Sequence, residues 1–339
     1  MIKRMQFSLA AVAVAVVALA GCSTAPETPE SGGSDGLNAL FIPYNTGNPY
    51  FDRLGSGMEA AAVELGGTYS TDGPATAGPT AQLPFINDGL ARGVNVIGIY
   101  ANDPSAMTPQ LSAARDNGVA VLALGADIDP AARDAVILAT DNDLVGPALV
   151  DILAPEIDFT GKVAILSGTP ESPDHTYWIA GIKAYLDDPK FAGIELVEVA
   201  YGNDVPEQAL GEANALLSKY PDLAGIIGVT TVAVAQAAQA VSTAGLSGTV
   251  AVTGLGLPNQ MAPYLEDGTV QEFTLWDPAD MGSIASCLGH AIITGEVVAE
   301  PGAEFECGSL GKRSIRDDGS VVAGDLISFT SANVADFDF

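Results

Sequence analysis

The sequence predicts an α/β protein built as two similar, doubly wound lobes, and three observations carry that prediction. At 339 residues the chain is too long for one small core and fits two domains of ordinary size. Short continuous runs of Val, Ile and Ala, bounded by Gly, Asn and Asp, alternate with longer amphipathic segments, as a parallel sheet covered on both faces requires. The alternation starts again near residue 160, which implies a second lobe like the first, although no repeat at a fixed period is visible.

The chain opens with a different kind of segment. Lys3 and Arg4 give a basic start, Phe7 to Ala20 is an apolar run rich in Ala and Val, and the run ends Leu19-Ala20-Gly21-Cys22. A short apolar core with a basic flank and small residues before the cut predicts a secretory signal over residues 1–21. The run is too short and too rich in Ala for a membrane span. Its ending resembles the bacterial lipobox, in which the Cys is diacylated and becomes the new N terminus; an ordinary signal peptide with a chance Cys is the alternative. Residues 23–36 contain no large apolar side chain, so residues 22–36 are expected to be a lipidated Cys22 and a flexible tether. The expected location is extracytoplasmic, as a lipoprotein anchored to the cell membrane and touching it through the lipid alone.

From residue 37 the elements follow in order. Leu37 to Tyr44 reads as a strand and Pro49 to Gly66 as a helix closed by Gly66-Gly67. Then come a strand at Thr68–Thr71, a helix from about Gly78 to Arg92, a strand at Val94–Tyr100, a helix at Met107–Asn117 and a strand at Val119–Leu124. In the second set, strands are expected at Lys162–Ser167, Ile194–Ala200, Ala224–Val229 and Thr249–Thr253, with helices near 174–187, 206–219 and 230–244. Right-handed crossovers send both sets of strand carboxyl ends toward loops that converge, so a cleft between facing lobes is the expected site.

Charge removes several functions. Asp plus Glu number 42 against 13 Lys plus Arg, a net charge of -29. Nucleic acid is excluded, because binding it takes cationic side chains that displace counterions from phosphate. The same field repels nucleotides and anionic lipid. With 48% hydrophobic residues the chain is globular despite its charge. Beyond Cys22 two cysteines remain, Cys287 and Cys307. Outside the cytoplasm an even pair suggests a disulfide, with two buried thiols as the alternative.

Motifs for chemistry are missing or misplaced. The nearest approach to a phosphate loop, Gly308-Ser-Leu-Gly311-Lys312-Arg313, lacks the spacing and the hydroxyl. A nucleophile pattern, Gly32-Gly33-Ser34-Asp35-Gly36, falls inside the tether, with no strand to strain the serine. His175 and His290 stand apart without zinc spacing, and Asp141-Asn142-Asp143 reads as a turn and helix cap rather than a calcium loop. The expectation is a protein with no metal, no cofactor and no catalysis.

What remains looks like recognition. Tyr44 ends the first strand, and Asn48-Pro49-Tyr50-Phe51 opens the first helix. Asp174-His175, with Trp178, opens the first helix of the second lobe, and Trp276 ends a strand from Glu272 and precedes Asp277. Polyols are held by planar polar groups on their hydroxyls and aromatic faces on their C–H sides, and in a chain only 6% aromatic these positions at strand ends and helix starts stand out.

At these residues and others the chain resembles the type I periplasmic binding proteins of ABC importers, in the rhamnose-binding and autoinducer-2-binding branch. The stretches that carry the resemblance are Phe41-Ile-Pro43, Asn48-Pro-Tyr-Phe51, Asp72-Gly-Pro74 and Pro221-Asp-Leu-Ala-Gly-Ile-Ile227. They continue with Gly254-Leu-Gly-Leu-Pro-Asn-Gln-Met261, Gly268-Thr-Val270, Leu275-Trp276 and Asn333 through Phe337-Asp-Phe339. The resemblance spans residues 38–339. It implies two Rossmann-like lobes joined by three crossovers and closing like a hinge on a small ligand, which is then delivered to a membrane permease. On that pattern the N-terminal lobe is residues 37–139 plus 256–298, the C-terminal lobe is 140–255 plus 299–339, and the protein is a monomer.

Compared with the autoinducer-2 receptors, Tyr44 stands where they have a Lys, and Gly125, with Asp127 two residues on, stands where they have an Asp. Their Asp-Gln pair is Asp174-His175 here, and a Pro and an Ala become Val229 and Thr231. The aromatics at Tyr50, Phe51 and Trp276 are kept in kind. Loss of two charged groups favours a neutral ligand, rhamnose or another small sugar or polyol, over autoinducer-2. Asp174 is expected to bond ligand hydroxyls with His175 and Asn48 in support. Tyr50, Phe51 and Trp276 are expected to cover its apolar face, while Tyr44 and Thr231 shape the pocket. A signalling receptor is the alternative, and a lipoprotein hydrolase is a weaker one, lacking a nucleophile in context.

Overall fold

The computed structural model describes residues 36–339, so the expected signal segment, Cys22 and the tether through Asp35 lie outside the described residues. The first apolar run forms β1 (Asn38–Ile42), and Asn48 then caps α1 (Pro49–Glu64), its side chain accepting from the Tyr50 amide while Pro49 supplies a preset φ in the first turn. β2 (Thr68–Thr71), α2 (Leu83–Ala91), β3 (Val96–Ile99), α3 (Thr108–Asp116), β4 (Ala120–Leu124) and β5 (Ala135–Leu138) complete the first series. α2 starts five residues later than Gly78, because the fully buried Gln82 turns its side chain inward to donate to the Pro43 and Tyr100 carbonyls, at 2.9 and 2.7 Å.

The second series runs α4 (Asn142–Glu156), β6 (Thr160–Ser167), α5 (Pro173–Leu186), β7 (Gly193–Tyr201), α6 (Pro206–Lys219), β8 (Leu223–Gly228), α7 (Thr231–Thr243) and β9 (Ala251–Gly254). Asp141 caps α4, so the Asp-Asn-Asp stretch is a helix start. The chain then makes α8 (Pro258–Glu266), β10 (Glu272–Leu275), α9 (Pro278–Ile293), β11 (Glu304–Glu306), β12 (Lys312–Ser314), β13 (Ser320–Val322) and β14 (Ile327–Thr330).

Two parallel sheets organise these elements. The first has the order β13-β5-β4-β3-β1-β2 and the second β7-β6-β8-β9. Beyond β9 a bridge from Leu255 to Thr274 brings up β10, which pairs antiparallel with β14. Each sheet reverses its strand order once near its middle, between β1 and β3 and between β6 and β8. A crevice opens outside the strand ends at such a reversal. β3, which flanks the first of these points, and its neighbour β4 are buried throughout, as their uninterrupted apolar sequence requires.

Strand pairing redraws the lobe boundaries expected after residue 255. β10 extends the second sheet, so residues 256–276 go with the second lobe, and α9 returns the chain to the first by packing on α1. Residues 299–339 are divided. β13 completes the first sheet against β5, and β14 joins β10 of the second. The chain therefore crosses between β5 and α4, between β10 and α9, and between β13 and β14. The late strands are three or four residues long, too short to show a period in sequence.

Cys287 on α9 is bonded to Cys307 after β11, with Cα atoms 5.4 Å apart, which ties the β11–β12 hairpin to the first lobe. Among the described residues no helix is long and apolar enough to cross a membrane. At the end of α4, burial pushes the half-buried Glu156 carboxyl up to about 7 from its ordinary 4.5, and the charge of Glu272 adds to the shift. Below pH 4.5 this group is protonated folded or unfolded. Between 4.5 and 7 only the folded chain keeps the proton, so stability falls as pH rises through that window. Allowing for partial exposure, the fall is about 1–2 kcal/mol. Chemical denaturation from pH 4.5 to 8 should show this slope in the native chain, and Glu156→Gln should flatten it.

Candidate functional site

Residues at the carboxyl ends of strands of both sheets meet in one cleft with a cavity volume of about 40 Å³. From the first sheet come Tyr44 beyond β1 and Tyr100 at the end of β3, with Asn48, Tyr50 and Phe51 from the start of α1. From the second come His175 and Trp178 on α5, Asp204 beyond β7, Val229 and Thr230 beyond β8, and Thr231 on α7. Trp276 reaches in from the crossover after β10.

The aromatic side chains form one interlocked group. The Phe51 and Tyr100 ring centroids lie 5.1 Å apart, Tyr50 and Phe51 5.3 Å, and Trp178 and Trp276 5.8 Å. Most of these contacts are edge-on, the arrangement aromatic quadrupoles favour. The Trp276 indole donates to the Tyr50 hydroxyl at 3.0 Å, and the Trp178 indole to Asn142 Oδ1 at 2.9 Å. Burial raises the Tyr50 and Tyr100 phenols far above 10 and pushes Tyr44 up to about 12, so all three stay neutral donors.

The polar groups are arranged differently from the sequence-based expectation. Asp174 is not among the residues lining the cleft. Its side chain is fully buried behind them, with Oδ2 accepting from the Tyr100 hydroxyl at 2.5 Å and Oδ1 from the Ser172 hydroxyl and the His175 amide. Asn48 does line the cleft, but its Oδ1 is committed to capping α1, 3.0 Å from the Tyr50 amide, which leaves its amino group. His175 lines it with Nδ1 buried and without a hydrogen-bond partner among the described residues. Tyr44 and Thr169 share a hydrogen bond of 2.5 Å from one lobe to the other.

The sequence reading missed three lining residues that carry side-chain hydrogen-bonding groups, Tyr100, Asp204 and Thr230, together with the apolar Leu255 and Leu275. Asp204 follows β7 and is buried, its Oδ1 accepting from the Thr230 hydroxyl at 2.7 Å. Burial raises its carboxyl above the ordinary value, and the nearby Asp174 charge adds to this; the His175 ring and the Thr230 hydrogen bond oppose it. Asn203 and Asp204 both have left-handed backbone, φ 53° and 52°, a conformation that non-glycine residues hold only when their surroundings enforce it. A Cβ placed on Gly168 would lie 2.7 Å from Asp204 Oδ2 and 2.8 Å from His175 Cε1, so the two polar side chains converge over that glycine. Gly202-Asn203-Asp204 directly after a strand was the available signal.

None of the described residues lining the cleft is Lys or Arg. The surface is a set of aromatic faces with a few converging acceptors and neutral donors, suited to a small uncharged polyol.

Two lobes of this topology with a cleft between them agree with what the sequence matches. The family model described as a periplasmic binding protein domain matches residues 39–296. The chain belongs to the periplasmic binding proteins. Solved structures of this family superpose on nearly all of the described residues. A protein described as a sugar ABC transporter, from Actinomyces odontolyticus, is 38% identical with a TM-score of 0.74, over 89% of this chain and 98% of that one. An ABC transporter solute-binding protein from Clostridium phytofermentas, with bound L-rhamnose, is 27% identical with a TM-score of 0.84, again over 89% and 98%. LsrB from Clostridium saccharobutylicum, in complex with AI-2, is 25% identical with a TM-score of 0.84, over 89% of this chain and all of that one. The expected type I fold and its rhamnose and autoinducer-2 relatives are therefore shown.

Proposed function

We propose that this protein is the lipid-anchored substrate-binding component of an ABC importer, taking a small neutral sugar between its two lobes. The ligand is a rhamnose-like deoxy sugar or another monosaccharide or polyol. The observation that carries the reading is the cleft itself, with aromatic faces on several sides, Asp204 and His175 converging over Gly168, and no cationic side chain for an anionic ligand among the described lining residues. The sugar named for the Clostridium phytofermentas protein and the transporter description of the Actinomyces protein support the same class. The anchor rests on Leu19-Ala20-Gly21-Cys22. The protein acts as a monomer that captures its ligand and releases it unchanged to the membrane permease. Affinity comes from enclosure, as the ligand favours the closed arrangement of the lobes.

Thermal unfolding with L-rhamnose, other deoxy sugars, pentoses, hexoses, polyols, a uronic acid and autoinducer-2 tests the reading. A ligand present at 100 times its Kd stabilises by about 2.7 kcal/mol, enough to raise Tm by roughly 5 °C. A shift with one or a few neutral sugars and none with the uronic acid is expected. A shift confined to autoinducer-2 would favour the signalling role, and flat curves throughout would overturn the sugar. Mass spectrometry of the membrane-extracted protein should find the acyl groups on Cys22, and Cys22→Ser should release it from the membrane fraction.

A further inference from the structure

The Tyr100 side chain occupies a place no other feature of the cleft explains. Gly125, beyond β4, has φ +67°, and a Cβ there would lie 2.3 Å from both Cζ and Oη of Tyr100. The tyrosine ring thus fills the space a side chain at 125 would need. It is held on its other sides by Phe51, Tyr50 and Tyr44, at centroid distances of 5.1, 6.3 and 6.4 Å. Its backbone is held as well, since Gln82 ties the Tyr100 and Pro43 carbonyls together and so fixes the ends of β3 and β1. From this position the hydroxyl crosses the cleft to Asp174 on the second lobe.

We infer that Tyr100 is a specificity-determining residue of the binding site. Its ring over Gly125 limits the size of the sugar, and its hydroxyl takes Asp174 as a latch between the lobes, so that this carboxylate holds the cleft shut and does not bond the ligand. The inference rests on the sugar-binding reading for its size component. The latch joins protein to protein, and so it acts with or without sugar. Asp174 already accepts from Tyr100, Ser172 and its neighbour's amide, which uses three of the roughly four lone-pair positions of a carboxylate. The burden of reading ligand hydroxyls then falls on Asp204 and His175.

The first test uses no ligand. Small-angle scattering of the sugar-free protein should give a larger radius of gyration for Tyr100→Phe than for the native chain, with unchanged circular dichroism. Equal radii overturn the latch. The second uses titration calorimetry with L-rhamnose and D-ribose, or whichever panel sugars bind. Tyr100→Phe should weaken each sugar by the same factor, about 10- to 100-fold, the worth of a hydrogen bond to a buried charge. Asp174→Asn should add little when combined with Tyr100→Phe, because the two side chains act as one unit. If Asp174→Asn keeps its full loss in that background, the carboxylate bonds the sugar directly and the latch is refuted. Tyr100→Ala should raise the affinity for hexoses relative to pentoses by about tenfold; an unchanged ratio overturns the size filter. Absence of binding by any sugar to the native chain refutes the sugar reading alone and leaves the scattering result to decide the latch.

Discussion

Replacing Asp204 by alanine is expected to weaken sugar binding by about 100-fold or more while leaving the protein folded. The carboxyl is buried, it sits on a left-handed backbone at the end of β7, and one oxygen is held by Thr230. The other oxygen lies with His175 over Gly168, beside the space a ligand would enter. A hydrogen bond from a sugar hydroxyl to such a group is worth about 1.5–3 kcal/mol, and its removal also strands the ligand hydroxyl in a dry site. Asp204→Asn keeps one acceptor for Thr230 and should lose less. The raised carboxyl adds a pH signature. As pH falls through its value the acceptor gains a proton, so affinity should decline on acidification in the native chain and stay level in Asp204→Asn. Titration calorimetry of both chains with a sugar from the panel, at several pH values, measures this. An alanine variant that binds as tightly as the native chain would place the ligand elsewhere in the cleft.

Asp204 also shows why part of the site was hidden in the sequence. The strands of the two sheets and the helices between them were legible because their period is local: β2, α6 and the four parallel strands of the second series fall within a residue or two of expectation. So were Tyr44, Tyr50, Phe51, His175, Thr231 and Trp276 as lining residues, since strand ends and helix starts point to the crevice whatever the details. What sequence could not show is which polar atom is free. Asp174 and Asn48 have the chemistry to hold a sugar, but one is bonded by Tyr100 and the other caps α1, and both facts depend on groups brought near only by folding. The division of residues 299–339 was hidden for a related reason. β13 and β14 are too short to declare their faces, and their partners β5 and β10 lie roughly 185 and 55 residues back in the chain, a distance over which local patterning carries no information.

Substituting Gly57 or Gly282 should cost the fold more stability than removing any one hydrogen bond of the cleft, because at these positions two helices touch through their backbones. A Cβ on Gly57 would lie 2.0 Å from the Ala279 carbonyl oxygen, and one on Gly282 would lie 2.0 Å from that of Leu54. Neither glycine has a positive φ, so the requirement is for closeness alone. The same approach lets Ser283 and Ser286 of α9 donate to the Gly57 and Met58 carbonyls of α1, at 3.1 and 2.7 Å. Gly282→Val must push the helices apart, break these bonds and open the core beneath, for a loss of about 4 kcal/mol or more, near the upper end for single substitutions. Gly57→Ala should lose about 2–3 kcal/mol by the same route. The effect reaches the site, because α1 begins with Tyr50 and Phe51 and α9 begins beside Trp276, so parting the helices stretches the Trp276–Tyr50 hydrogen bond. Gly211 on α6 supplies the contrast. A Cβ there would meet nothing within 4 Å, and Gly211→Ala should stabilise by about 0.5–1 kcal/mol through backbone entropy. Urea unfolding of the three variants separates the two roles of glycine: if Gly57→Ala were as stable as the native chain, the helices would have slack to part, and the rigid placement of Tyr50 against Trp276 would need another cause.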